Sequence, residues 1–190
     1  MKITIRKAKS EDAPHVANIM LEAMREIIYT LIGSKNDDSA IQFLTQFISS
    51  EHNQYSYENI WVAIEDDRIL GEICLYDGAD LVKLRTPVLS YVNGDDSKRF
   101  DSIEDETASG EFYIDTIAVS PAARGKGVGQ LLLHHVIEMY VLQRNLTLGL
   151  LVDKGNPKAK SLYLRTGFVY REDVFFLGKA MEHLQLSPFQ

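Results

Sequence analysis

The apolar positions along this chain change period repeatedly, and the changes divide it into short elements. Alternation marks residues 3–6 as a first strand. The period then lengthens: Val16, Ile19, Met20, Ala23 and Ile27 recur at helical spacing, after a start at Ser10-Glu11-Asp12 with Pro14 just inside. A polar break at 33–38 precedes a second helix over 39–49, striped by Ile41, Phe43, Leu44, Phe47 and Ile48. Residues 60–64 and 69–76 read as two strands joined by the charged turn 65–68, hence as an antiparallel pair. The stretch 77–110 reads as a polar insertion, with a short helix at 80–83, a break at Pro87 and an acidic tract over 93–110. Loops of that length are usually functional or disordered.

Residues 112–133 organise the rest. Phe112, Ile114, Thr116 and Ala118 alternate with Tyr113, Asp115, Ile117 and Val119, which predicts a strand ended by Ser120-Pro121. Val128, Leu131, Leu132, His135, Val136 and Met139 then follow helical spacing. Beyond them the pattern gives a strand at 146–152, a helix at 156–166 and strands at 168–178 and 181–186. The order βααβββαβαββ predicts an α/β fold, a mixed sheet with helices on both faces, within one domain over 1–190.

Composition narrows the function. A net charge of −7 argues against nonspecific binding to nucleic acid and suits a cationic small molecule or a basic amino group, although solubility alone also explains it. No apolar run reaches membrane-spanning length, so a cytoplasmic protein that does not bind membranes is expected. Cys74 is the single cysteine and lies in an apolar run, as expected of a buried, inert thiol. The histidines lack metal spacing, and no metal is expected.

The candidate chemistry sits where the central strand turns into a helix. Arg124-Gly125-Lys126-Gly127-Val128-Gly129 places three glycines and two cations beside the unpaired N–H groups of a helix start, a favourable place for phosphate. A nucleotide-hydrolase loop would need Ser or Thr after Lys126, where Gly127 stands. A dinucleotide fingerprint would need G-x-G-x-x-G after the first strand, and this chain has G-x-G-x-G past its middle. A plain Gly-rich chain reversal is the remaining bland alternative.

Arg-x-x-Gly-x-Gly at Arg124, Gly127 and Gly129, and downstream Asn156, Ala159, Tyr163 and Gly167-Phe168, resemble the two signatures of the GNAT superfamily of acyl-CoA-dependent N-acetyltransferases. The resemblance covers about a third of the chain. It implies a mostly antiparallel sheet in which two parallel strands splay apart to admit acyl-CoA. It also implies that the pantetheine arm pairs with Ile117, Ala118 and Val119, with the Val119 N–H polarising the thioester carbonyl. Residues Arg124 to Gly129, with Gln130 just behind, would hold the pyrophosphate. Asn156 would bond the cofactor arm, cap a helix, or both.

On the same resemblance Tyr163 is the general acid for the departing thiolate, or a packing residue. Asp115, grouped by alternation with Glu111 and Tyr113, is a base, an anchor for a cationic substrate, or a plain solvated carboxylate. The acidic tract, with Asp101, Glu104, Asp105 and Glu106, is expected at the acceptor mouth. The expected activity is acetyl transfer from acetyl-CoA to a primary amine on a small molecule or peptide, by direct attack in a ternary complex. The alternative is a non-catalytic acyl-CoA-binding regulatory module. The acceptor, the acyl length and a homodimer are left open.

Overall fold

Seven strands form one sheet in the order β1-β2-β3-β4-β5-β7-β6 in the structure of the protein, a computed structural model that describes residues 2–94 and 103–188. The strands are β1 (Thr4–Lys7), β2 (Ile60–Glu65), β3 (Arg68–Asp77), β4 (Phe112–Val119), β5 (Leu148–Asp153), β6 (Val169–Phe176) and β7 (Lys179–Leu186). Only β4 and β5 run parallel; every other neighbouring pair is antiparallel. Five α-helices accompany them: α1 (Ala13–Ile32), α2 (Asp37–Ile48), α3 (Leu81–Asn93), α4 (Val128–Val136) and α5 (Pro157–Arg165). The mixed, mostly antiparallel sheet expected from the sequence is therefore present.

The apolar stripes are buried as their spacing predicts. Val16, Met20 and Ile28 of α1 and Phe43, Leu44 and Ile48 of α2 pack on Ile60, Val62 and Cys74. On the opposite face, Val128, Leu132, Leu133 and Val136 of α4 and Tyr163 of α5 pack on Ala63, Ile73 and Leu75. Burying apolar side chains on both faces supplies the main driving force for the fold. Cys74 is fully buried, as expected, with its Sγ 3.3 Å from the Gln54 carbonyl oxygen.

Three local departures shape the site. Where the sequence suggested a four-residue helix and a break, α3 runs through Pro87. Pro87 is exposed, and Leu81, Arg85 and Val88 form the buried face. The charge on Arg85 interrupts what would otherwise read as an apolar stripe. The helix opening at Val128 keeps α-geometry only to Val136 and continues as a π-helical turn, Ile137–Leu142, with Tyr140 4.8 Å from Phe112 between ring centroids. Inside α1, Met24 leaves helical geometry (φ −126°, ψ 24°) and bends the helix beside the cleft described below.

The phase of β4 is the decisive departure. Leu75 pairs with Ile114 and Cys74 with Thr116, so Asp115 is an extra residue on β4, a β-bulge. Simple alternation puts Asp115, Ile117 and Val119 on one face, but the bulge shifts the phase. Ile114, Ile117 and Val119 pack with the α4 core, whereas the Thr116 hydroxyl meets Glu72 on the other side of the sheet. At the same place the parallel pairing ends: β4 and β5 are registered only from Phe112↔Leu148 to Ile114↔Leu150. Beyond it β4 continues to Val119 and β5 to Asp153 without pairing each other.

Candidate active site

The gap between the two parting strands opens into a cleft of about 410 Å³ that passes through the sheet. Asp115, Ile117, Ala118, Val119, Arg124, Asn156 and Tyr163, all singled out from the sequence, border it. Gly125, Lys126, Gly127, Val128, Gly129 and Gln130 lie instead on the adjoining turn and the first turn of α4, outside the cleft lining.

A short 3-10 turn, Pro121–Ala123, leads from β4 into the loop, where Gly125 and Gly127 both have φ of 78°. An L side chain at either would be strained, and the space around both is open. Gly127 is the N-cap of α4 and no side chain caps that end, so the first backbone N–H groups are left for an anion. Val128 is buried beneath them, so its contribution there is through backbone. A Cβ at Gly129 would make only an ordinary 3.5 Å contact with Val119. The Arg124 guanidinium is held by Glu22 of α1, Nη2 to Oε2 at 2.6 Å, which ties the loop to that helix.

Asn156 caps α5, its Oδ1 accepting from the Ala159 N–H at 3.1 Å, while also bordering the cleft. Tyr163 is buried on α5 with its ring 5.9 Å from that of Phe168, and burial pushes its phenol up to about 12. It is therefore protonated at neutral pH and able to donate. Asp115 is pushed up to about 8, chiefly by burial and then by the nearby Glu106, against a hydrogen bond from the Gln54 side chain. Its Oδ2 has no partner among the described residues. Behind it Glu72, fully buried, is likewise pushed up to about 8 by burial.

Glu111 does not share the site. Its carboxylate accepts from Thr107 Oγ1 at 2.7 Å and Gln185 Nε2 at 2.7 Å and lies 2.9 Å from His183 Nε2. These groups surround a separate depression near β7. Glycine at 149 leaves the room: a Cβ there would stand 1.8 Å from Glu111 Oε2. Within the acidic tract, the described carboxylates are tied into the fold. Glu106 is buried 2.9 Å from Arg85 of α3, which also pairs with Asp105; Asp101 lies outside the described residues. Arg85 and Gln54 escaped the sequence reading, which named Glu106 only as one member of the acidic tract. Gln54 lies in the irregular stretch between α2 and β2, where no periodicity marks it, and nothing in the sequence separates Glu106 from its acidic neighbours as the one buried on Arg85.

The geometry has counterparts among known proteins. No curated protein matches this chain. Among solved structures, an N-acetyltransferase from Staphylococcus aureus Mu50 matches with a TM-score of 0.84 at 22% identity, over 96% of this chain and 100% of its own. A crystal structure of an acetyltransferase matches with 0.77 at 28% identity, over 97% and 98%. The histone acetyltransferase HPA2 and related acetyltransferase from Corynebacterium glutamicum ATCC 13032 matches with 0.70 at 22%, over 100% and 98%. The first and third likenesses show the fold alone. The model of the Acetyltransferase (GNAT) family matches residues 21–168, which take in the C-terminal part of α1, the splayed strands, the glycine loop and Tyr163, and by that match the chain belongs to this family.

Proposed function

We propose that this protein transfers an acetyl group from acetyl-CoA to a primary amine by direct attack within a ternary complex. The observation that carries the reading is the parting of β4 and β5 at the Asp115 bulge, which gives Tyr163 and Asp115 one cleft to share. The free edge of β4 suits an extended pantetheine arm, which can pair there as an added strand. The open glycine turn and uncapped start of α4 suit a pyrophosphate.

Bound acetyl-CoA supplies the thioester carbonyl and a thiolate leaving group. The Val119 N–H polarises that carbonyl as negative charge develops on its oxygen. The bound ammonium gives one proton to solvent, and Asp115, ionised, takes a second as the neutral nitrogen bonds to the carbonyl carbon, later passing it to solvent. Tyr163 donates its phenolic proton to the sulfur as the carbon–sulfur bond breaks, and recovers one from solvent. The net result is an amide, a free thiol and one proton released.

Calorimetry with acetyl-CoA, followed by free-thiol release with primary amines, tests the reading. Absence of binding heat would refute it, and binding without thiol release for any amine would leave a non-catalytic acyl-CoA module. With a reactive amine, kcat/KM should rise with pH through about 8 as Asp115 loses its proton, and Asp115→Asn should lose that limb.

A further inference from the structure

We infer that the acceptor is an apolar monoamine, with one primary ammonium held by Asp115 and Gln54 and an alkyl or aryl body lying against α1 and α3. The inference rests on the acetyl-transfer reading and deepens it.

Charge accounting around the cleft comes first. Its bordering carboxylates are Glu22, Glu106, Asp115 and Asp153, and its bordering cations are Arg85, Arg124 and Lys179. Glu22 pairs with Arg124 at 2.6 Å, Glu106 with Arg85 at 2.9 Å and Asp153 with Lys179 at 3.8 Å. Of these four carboxylates, Asp115 alone has no cationic partner among the described residues. One ammonium satisfies its ionised form. A second positive charge would have to displace an existing pair or lie desolvated, and a carboxylate on the acceptor would face Asp115.

The unpartnered atoms point the same way. Gln54, only 5% exposed, borders the same cleft as Asp115, and neither its Oε1 nor Asp115 Oδ2 has a partner among the described residues. Both atoms can only accept, or accept most readily, and an ammonium offers only donors. The surroundings decide what carries it. Ile27 and Leu31 of α1 and Val88 and Leu89 of α3 present hydrocarbon to the cleft, which favours an apolar body and gives a polar chain nothing to bond.

Thiol release from acetyl-CoA by the full chain, with hexylamine, 2-phenylethylamine, spermidine, lysine and a tripeptide of free α-amine, tests this. The kcat/KM of the better apolar monoamine should exceed each of the other three classes at least tenfold. In Leu89→Glu, at a half-buried wall position, that ratio should fall at least tenfold with the acetyl-CoA Kd unchanged; Ile27→Glu provides the same readout if Leu89→Glu fails to fold. A kcat/KM for spermidine, lysine or the tripeptide equal to that of the monoamines, or a ratio unmoved by the wall variant, overturns the inference while acetyl transfer stands. Absence of acetyl-CoA binding heat, or binding without thiol release from any of the five, overturns both readings.

Discussion

Replacing Glu72 with Gln should flatten the pH dependence of folding stability. Glu72 is fully buried on β3; its Oε2 accepts from the Thr116 hydroxyl at 3.2 Å and its Oε1 has no partner among the described residues. Burial raises the carboxyl from 4.5 to about 8, the Thr116 hydrogen bond opposing and Asp115 reinforcing the rise. Between those values the folded chain holds a proton that the unfolded chain has released. Stability from this group is therefore full below about pH 4.5 and is lost as pH rises toward and past 8. At about 1.36 kcal/mol per pH unit, the whole interval corresponds to about 5 kcal/mol, of which roughly 3 falls between pH 5 and pH 8. Gln keeps the shape and an acceptor for Thr116 but does not titrate. Its extra N–H groups lack partners, so the variant should start about 1–3 kcal/mol lower at acid pH. The slope is the readout. Urea unfolding at pH 5, 6, 7 and 8 should show wild type losing roughly 3 kcal/mol more than Glu72→Gln across that range, or roughly 6–12 °C in Tm for a chain of this size. Both proteins retain the parallel loss from Asp115, whose carboxyl is also raised to about 8. Equal slopes in the two proteins would mean that Glu72 is ionised in the folded state, and the argument from burial would fail.

Other perturbations address the site. Gly127→Val, at φ of 78°, should weaken acetyl-CoA binding at least tenfold in a chain that remains folded, and calorimetry with unchanged affinity would disprove the role given to the loop. Tyr163→Phe should keep acetyl-CoA affinity and lower turnover by roughly 10²- to 10⁴-fold; a variant as fast as wild type would leave Tyr163 a packing residue beside Phe168. Gly149→Ala should destabilise the fold by about 1–3 kcal/mol in urea titrations, because its methyl group would displace the Glu111 carboxylate from His183 and Gln185. An unaltered unfolding midpoint would show that Glu111 moves aside freely.

The sequence by itself determined the elements with a local signature. The stripes of α1, α2 and α4, the apolar runs of β2 and β3 on either side of a charged turn, and the glycine turn with Asn156 and Tyr163 downstream were legible because each depends on residues a few positions apart. The α3 helix was hidden because Arg85 occupies its buried face, and that charge is tolerable only beside Glu106 and Asp105. The bulge at Asp115 was hidden as well. A strand's own alternation has a single phase, and only its register against β3 shows where an extra residue slips that phase. Register also decided that β4 and β5 part after Ile114, and hence that a cleft exists. Gln54 and Glu72 acquired their places through burial by distant segments. Desolvation and partner count are set by what packs around a group, which local sequence does not encode, and they alone separated Asp115 from the paired carboxylates of the cleft.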